Sequence, residues 1–120
     1  MRWKVMIMKM IWAIIHYEST QMVIDALEKT GIHAMTRMDV TGYEKVRGIP
    51  NGSIGYTEMP KEMLMIVLAD NEVARAVTII RTMVKASMKN HFVAATHEKS
   101  RIFVTYVEDS YTIRTTKTLA

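Results

Sequence analysis

The chain has 120 residues, 49% of them apolar and 23% charged, with a formal net charge of +4 and no cysteine. That is the length of one domain, with apolar surface for a single two-layer core and no room for two independent ones. The absent cysteines exclude disulfides, thiolate nucleophiles and every cysteine-ligated zinc or iron-sulfur site. The longest uninterrupted apolar run, Met63 to Ala69, is far short of the roughly 18 residues that a membrane helix needs. The opening MRWKVMIMKMIWAII superficially suggests a signal peptide. Lys9 splits its apolar stretch and no small-residue cleavage site follows, so it reads as strand sequence, and a cytoplasmic location is expected. The whole of the net charge lies between Arg81 and Arg101, where Lys85, Lys89 and Lys99 join these two arginines against the single acid Glu98. Twelve methionines point to an adaptable core or subunit interface, because the thioether chain fills irregular gaps.

In chain order, Met6 to Ile15 is rich in Ile, Trp and Met without helical spacing and reads as a strand buried on both faces. Ser19 or Thr20 is placed to cap a helix of about ten residues, with Val23, Ala26, Leu27 and Thr30 on one stripe and Gly31 as its stop. Ile32 to Thr41 alternates as a second strand, with Thr36, Met38 and Val40 on one side and Met35, Arg37 and Asp39 on the other. Met63 to Ala69 is a short third strand. Asp70 or Asn71 caps a second helix with the stripe Val73, Ala76, Val77, Ile80, Met83 and Val84, and Arg81, Lys85 and Lys89 on its opposite face. Arg101 to Val107 is the fourth strand. The order βαββαβ with right-handed crossovers predicts an α+β, ferredoxin-like fold, a four-stranded antiparallel sheet with two helices on one face.

Four of the five glycines and both prolines fall between residues 42 and 60, in the connection between the second and third strands. A plain hairpin needs only two to five residues there. A connection this long and rich in glycine is a candidate binding loop.

At this point the sequence resembles the PII signal-transduction proteins of nitrogen metabolism, over about Met8 to Lys117. The carrying segments are MKMIWAII (8–15), VIDALEKTGIHAMTRMDVTG (23–42), Met59-Pro60-Lys61 leading into MLMIVLADNEV, and RIFVTYVEDSYTIRT (101–115). The short Gly48 to Pro60 spacing is most similar to the subgroup found beside nitrogenase genes. The resemblance implies one PII-like domain over 1–120, a regulatory loop over 43–59, and trimers with ATP or ADP between subunits, sensing 2-oxoglutarate. It also implies a homotrimer or a hetero-oligomer with a PII paralogue, no enzymatic activity, and a target protein of nitrogen metabolism, nitrogenase being the first expectation.

Matched position by position, the family's nucleotide residues correspond to Thr36, Gly42, Lys45, Arg47, Lys61, Arg101 and Arg114. The phosphate-approaching segment keeps its outer glycines Gly42 and Gly48 and the cations Lys45 and Arg47, while Glu44 replaces its central glycine and Val46 its glutamine. The family's second nucleotide loop, glycine-rich so that several amides can converge on an anion, corresponds to a lengthened 87–100 segment in which VAATHEKSR contains no glycine. Nucleotide binding is therefore expected to be weak or absent, and 2-oxoglutarate sensing lost. Within the loop, Tyr43, Ile49, Ile54 and Tyr56 are the candidate partner anchors.

The alternatives are fewer. His91, His97 and Glu98 fit no standard metal spacing, and His16-Tyr17-Glu18-Ser19 offers no anion-cradling loop for an acylphosphatase-like enzyme. An RNA-binding module of the same fold would display aromatics on its central strands, but Trp12 and Phe103 sit among Ile and Val in a pattern that reads as core.

Overall fold

The computed structural model describes residues 6–46, 55–88 and 100–113, with the side chains of these apart from 44–46 and 55–57. Its elements are β1 (Met8–His16), a 3-10 turn (Tyr17–Ser19), α1 (Thr20–Lys29), β2 (Thr36–Val46), β3 (Gly55–Ala69), α2 (Asp70–Met88) and β4 (Arg101–Val107). They form one four-stranded sheet in the order β2-β3-β1-β4, with all three strand pairings antiparallel. This is the expected ferredoxin-like topology, two split βαβ units whose helices share one face.

The core follows from alternation. Ile11, Ala13 and Ile15 on β1 stand in register with Ile66, Leu64 and Glu62 on β3, and the five apolar members of these rows are fully buried. Val23 and Leu27 of α1 and Ala76, Ile80, Val84 and Met88 of α2 cover them. The other row of β1, with Met8, Met10, Trp12 and Ile14, is only half-buried. The expectation of a strand buried on both faces is thus met on one face, since both helices lie on that side. Lys9 ends the helix-side row, where its ammonium bonds Asp70 at the start of α2 at 2.6 Å and sits 5.1 Å from the Tyr106 ring centre.

The stop of α1 is a Schellman turn: Gly31 N–H donates to Glu28 O and Ile32 N–H to Leu27 O, at 3.0 and 3.1 Å. Gly31 has φ +93°, a left-handed conformation that glycine adopts without strain. The start of α1 differs from expectation. Ser19 occupies the N-cap position without capping through its side chain; its hydroxyl instead meets the Ser87 hydroxyl at 2.5 Å, tying α1 to α2. His16 Nδ1 accepts from the Glu18 amide at 3.2 Å and caps the preceding turn.

The largest departure is in β2 and β3. The second strand starts later than the alternation suggested, at Thr36, and runs to Val46; the third runs back from Gly55 in register with it. Much of the glycine-rich connection is therefore a two-stranded ribbon, and Pro60 lies inside a strand. It is tolerated because β1 ends opposite Lys61, so at Pro60 only β2 remains as a ladder partner.

Leu64→Ala removes a fully buried side chain from the central strand beneath both helices. We expect a loss of about 2–5 kcal/mol in urea unfolding, measured at fixed protein concentration so that assembly does not contribute to the difference.

Candidate functional site

The base of the ribbon carries two adjacent charged residues, Lys61 and Glu62, on opposite faces of β3. Both are nearly inaccessible, at 6% and 5%. Glu62 points to the helix side, where Arg37 of β2 grips it with Nε to Oε2 at 2.6 Å and Nη2 to Oε1 at 2.8 Å. This side-on, two-point pair is the geometry in which guanidinium and carboxylate bind most strongly. Gln21 of α1 reaches the same guanidinium, accepting from Nη1 at 3.4 Å.

The Arg37 hydrogen bonds hold the Glu62 carboxyl below its ordinary range against the opposing effect of burial. Thr20 Oγ, buried and outside hydrogen-bond geometry among the described residues, adds to the same downward shift. Arg37 is raised in return, first by its bond to Glu62.

Lys61 points to the other face, and its stem lies across β2 at Gly42. A Cβ built on Gly42 would stand 3.1 Å from Lys61 Cδ and Cε, so a larger residue here requires the lysine stem to give by a few tenths of an ångström. A shallow cleft of about 490 Å³ opens beside this base, lined in part by Tyr17, Arg37, Asp39, Thr41, Lys61 and Glu62.

The opposite face of the sheet is open. Register places Met10 beside Val67 and Thr105, Trp12 beside Met65 and Phe103, and Ile14 beside Met63 and Arg101. Phe103 is 52% exposed, so the reading of Phe103 as core is corrected: it lies on the edge strand of the uncovered face, next to a half-buried Trp12.

Thr36, Gly42, Lys61 and Arg101 all fall on this open face. They do not converge, because Thr36 and Gly42 are on the edge strand β2 and Arg101 is on the other edge, β4. Tyr43 is 69% exposed on the ribbon, in register with Glu58, and Lys45 pairs with Tyr56 at backbone level. Arg47, Ile49, Ile54 and Arg114 lie outside the described residues, as do most of the 87–100 segment and the side chains of Lys45 and Tyr56. The cleft pair Arg37–Glu62 went unnoticed in the sequence. Its available signal was the acid directly after Lys61, facing a strand whose helix-side row carries Arg37 and Asp39.

This is a small ferredoxin-like domain with a long β2–β3 ribbon and a buried lysine at its base. The family model for nitrogen regulatory protein P-II matches residues 8–117, and the chain belongs to that family. It is 38% identical over 108 residues to the nitrogen fixation nifHD region glnB-like protein 1 of Methanococcus maripaludis, covering 90% of this chain and 95% of that protein. It is 40% identical over 110 residues to the nifHD1 region GlnB-like protein 1 of Methanosarcina barkeri, covering 92% and 97%. Arabidopsis thaliana PII bound to citrate superposes with a TM-score of 0.66 over 90% of this chain and 82% of that one, at 23% identity, a likeness of fold. The resemblance read in the sequence, including its nitrogenase-associated subgroup, therefore holds. No helix among the described residues is long and apolar enough to cross a membrane.

Among the described residues, those matched to the family's nucleotide site do not come together within one subunit. Thr36 and Gly42 lie on the edge strand β2, Lys61 on the neighbouring β3, and Arg101 on the far edge β4.

Glu62, with its carboxyl lowered in the fold, contributes stability that is present above the ordinary carboxylate range and is lost as pH falls through the depressed value. Arg37→Met leaves that carboxylate buried without its partner. A loss of about 1–3 kcal/mol near neutral pH is expected, moderated by the partial exposure of the guanidinium. In Glu62→Gln the acid limb of the stability profile should be shallower than in the parent; superimposable pH profiles would show that the pair does not carry this linkage.

Proposed function

We propose that this chain is a non-enzymatic regulatory subunit of nitrogen fixation, acting on a target protein through the ribbon and loop over 43–59, with nitrogenase as the first candidate. The observation that carries this reading is the ribbon itself, a paired extension from Gly42 and Met59 to Val46 and Gly55 with an exposed Tyr43 on it. The names of the relatives place them in nitrogen-fixation gene regions, which supports the choice of target. An aromatic on a projecting ribbon, with glycines beyond it, suits docking because a rigid anchor is presented by an adaptable backbone.

The open sheet face supports assembly. Met8, Met10, Trp12, Ile14, Met63, Met65 and Val67 form a continuous, partly exposed apolar row on the face that the described helices leave uncovered, and such surfaces suit subunit contacts. We assign it to contacts in a homotrimer or a hetero-oligomer with a related subunit. An RNA-binding surface built on the same face would need cations around Trp12 and Phe103. Their register neighbours are methionines, valine and threonine, with Arg101 one row away, which favours subunit packing.

Arg101 on one edge and Thr36, Gly42 and Lys61 toward the other could meet only across a subunit boundary. We propose that nucleotide binding there is weak or absent and that 2-oxoglutarate sensing is lost. Val46 can neither donate nor accept where the family has an amide, and the segment before Arg101 has no glycine to wrap phosphates.

Deleting Pro50 to Gly55 should abolish capture of the target while light scattering still reports the oligomer and the melting temperature stays close to the parent's. A deletion variant that falls apart or unfolds would make the loop structural. Calorimetric titration with ATP, ADP and 2-oxoglutarate addresses the ligands: little or no heat is expected, whereas micromolar ATP binding that tightens with magnesium and 2-oxoglutarate would overturn the altered-ligand reading.

A further inference from the structure

The cleft beside the ribbon base combines two features that neither the docking reading nor the nucleotide positions use. Arg37 binds Glu62 side-on, through Nε and one hydrogen of Nη2. A guanidinium has five N–H donors in a fixed plane, so its end-on edge, one N–H on each terminal nitrogen, is not spent on Glu62. The other described acceptor at this group is Gln21, distant at 3.4 Å. Glu62 is buried and cannot swing away, so the guanidinium is held in one orientation, half-exposed, at the cleft wall. A pair of parallel N–H donors held in this way matches a carboxylate.

Asp39 supplies the opposite charge. It lies two residues along β2 on the same face, directly in register with Glu62, and is exposed in the same cleft. It makes no ion pair among the described residues. Asp39 also faces the Arg37–Glu62 pair, helping to raise the one and lower the other, but the two-point bond of the guanidinium goes to Glu62, and the Asp39 carboxylate stays exposed to the cleft. Residues i and i+2 of a strand stand about 6.6–6.8 Å apart, a span that one ligand carrying both charges on neighbouring atoms can bridge. Tyr17 and Thr41 line the same space.

We propose that this cleft binds a small zwitterion of the α-amino-acid class, its carboxylate on the end-on edge of Arg37 and its ammonium on Asp39. A dianion would meet Asp39 and Glu62, and a simple cation would meet Arg37, so the paired charges favour a ligand that offers both. The site is distinct from the ribbon tip, and its failure would leave the docking reading intact.

The test uses the full chain, with glycine, L-alanine, L-serine and L-glutamate as probes in calorimetry and saturation-transfer NMR, alongside their N-acetyl and carboxamide derivatives. Saturable binding of at least one free amino acid is expected, weakened about tenfold or more by blocking either end, since each block removes a charge-assisted hydrogen bond. Asp39→Asn, a change at an exposed side chain, should abolish the preference for the free ammonium while circular dichroism and target capture stay unchanged. The proposal is overturned if none of the four probes saturates, if blocked and free forms bind alike, or if Asp39→Asn leaves the preference intact.

Discussion

The pairing of β1 with β3 is the constraint on which the rest depends. These two central strands are apolar on both faces, and their fixed register puts Ile11, Ala13 and Ile15 against Ile66, Leu64 and Glu62 beneath the helices. It simultaneously turns Met10, Trp12, Ile14, Met63 and Met65 outward on the other side. A shift of one residue would exchange these sets, turning Lys61 beneath the helices and moving Lys9 away from Asp70 to the open face. Each helix then has one place to lie, and the uncovered face becomes the surface available for association.

Where the central pair ends, the chemistry changes. β1 stops opposite Lys61, and from there β3 continues with β2 alone as the ribbon. The last fully flanked positions of β3 are thus occupied by a buried lysine and a buried glutamate, one on each face. Glu62 is compensated by Arg37, and Lys61 is laid across Gly42. Burying charge is tolerable only with such partners and close packing. Together these contacts set how the ribbon leaves the sheet, so the element suited to docking is held by the most constrained polar groups of the fold.

Much of this was legible in the sequence because it rests on short-range pattern. Val23 and Leu27 at helical spacing, Gly31 as a stop, the alternating β4 and the βαββαβ order all became what local periodicity indicated. The misreadings share one cause. Gly42, Gly55 and Pro60 mark a loop by local propensity, yet β2 and β3 pair through these three because tertiary contacts outweigh propensity at a sheet edge. Ser19 looked like a helix cap, but a partner 68 residues away, Ser87, takes its hydroxyl.

What the sequence by itself determined was the class of fold, the family, the position of the projecting segment and the absence of glycine from 87–100. Each is a property of spacing and residue type along the chain. Only the tertiary structure decided that Arg37 meets Glu62, that the Lys61 stem crosses Gly42, and that Phe103 and Trp12 share an uncovered face. Such facts depend on strand register and on which face the helices cover. Both are set by the cooperative burial of side chains distant in sequence, a long-range quantity that no local window contains.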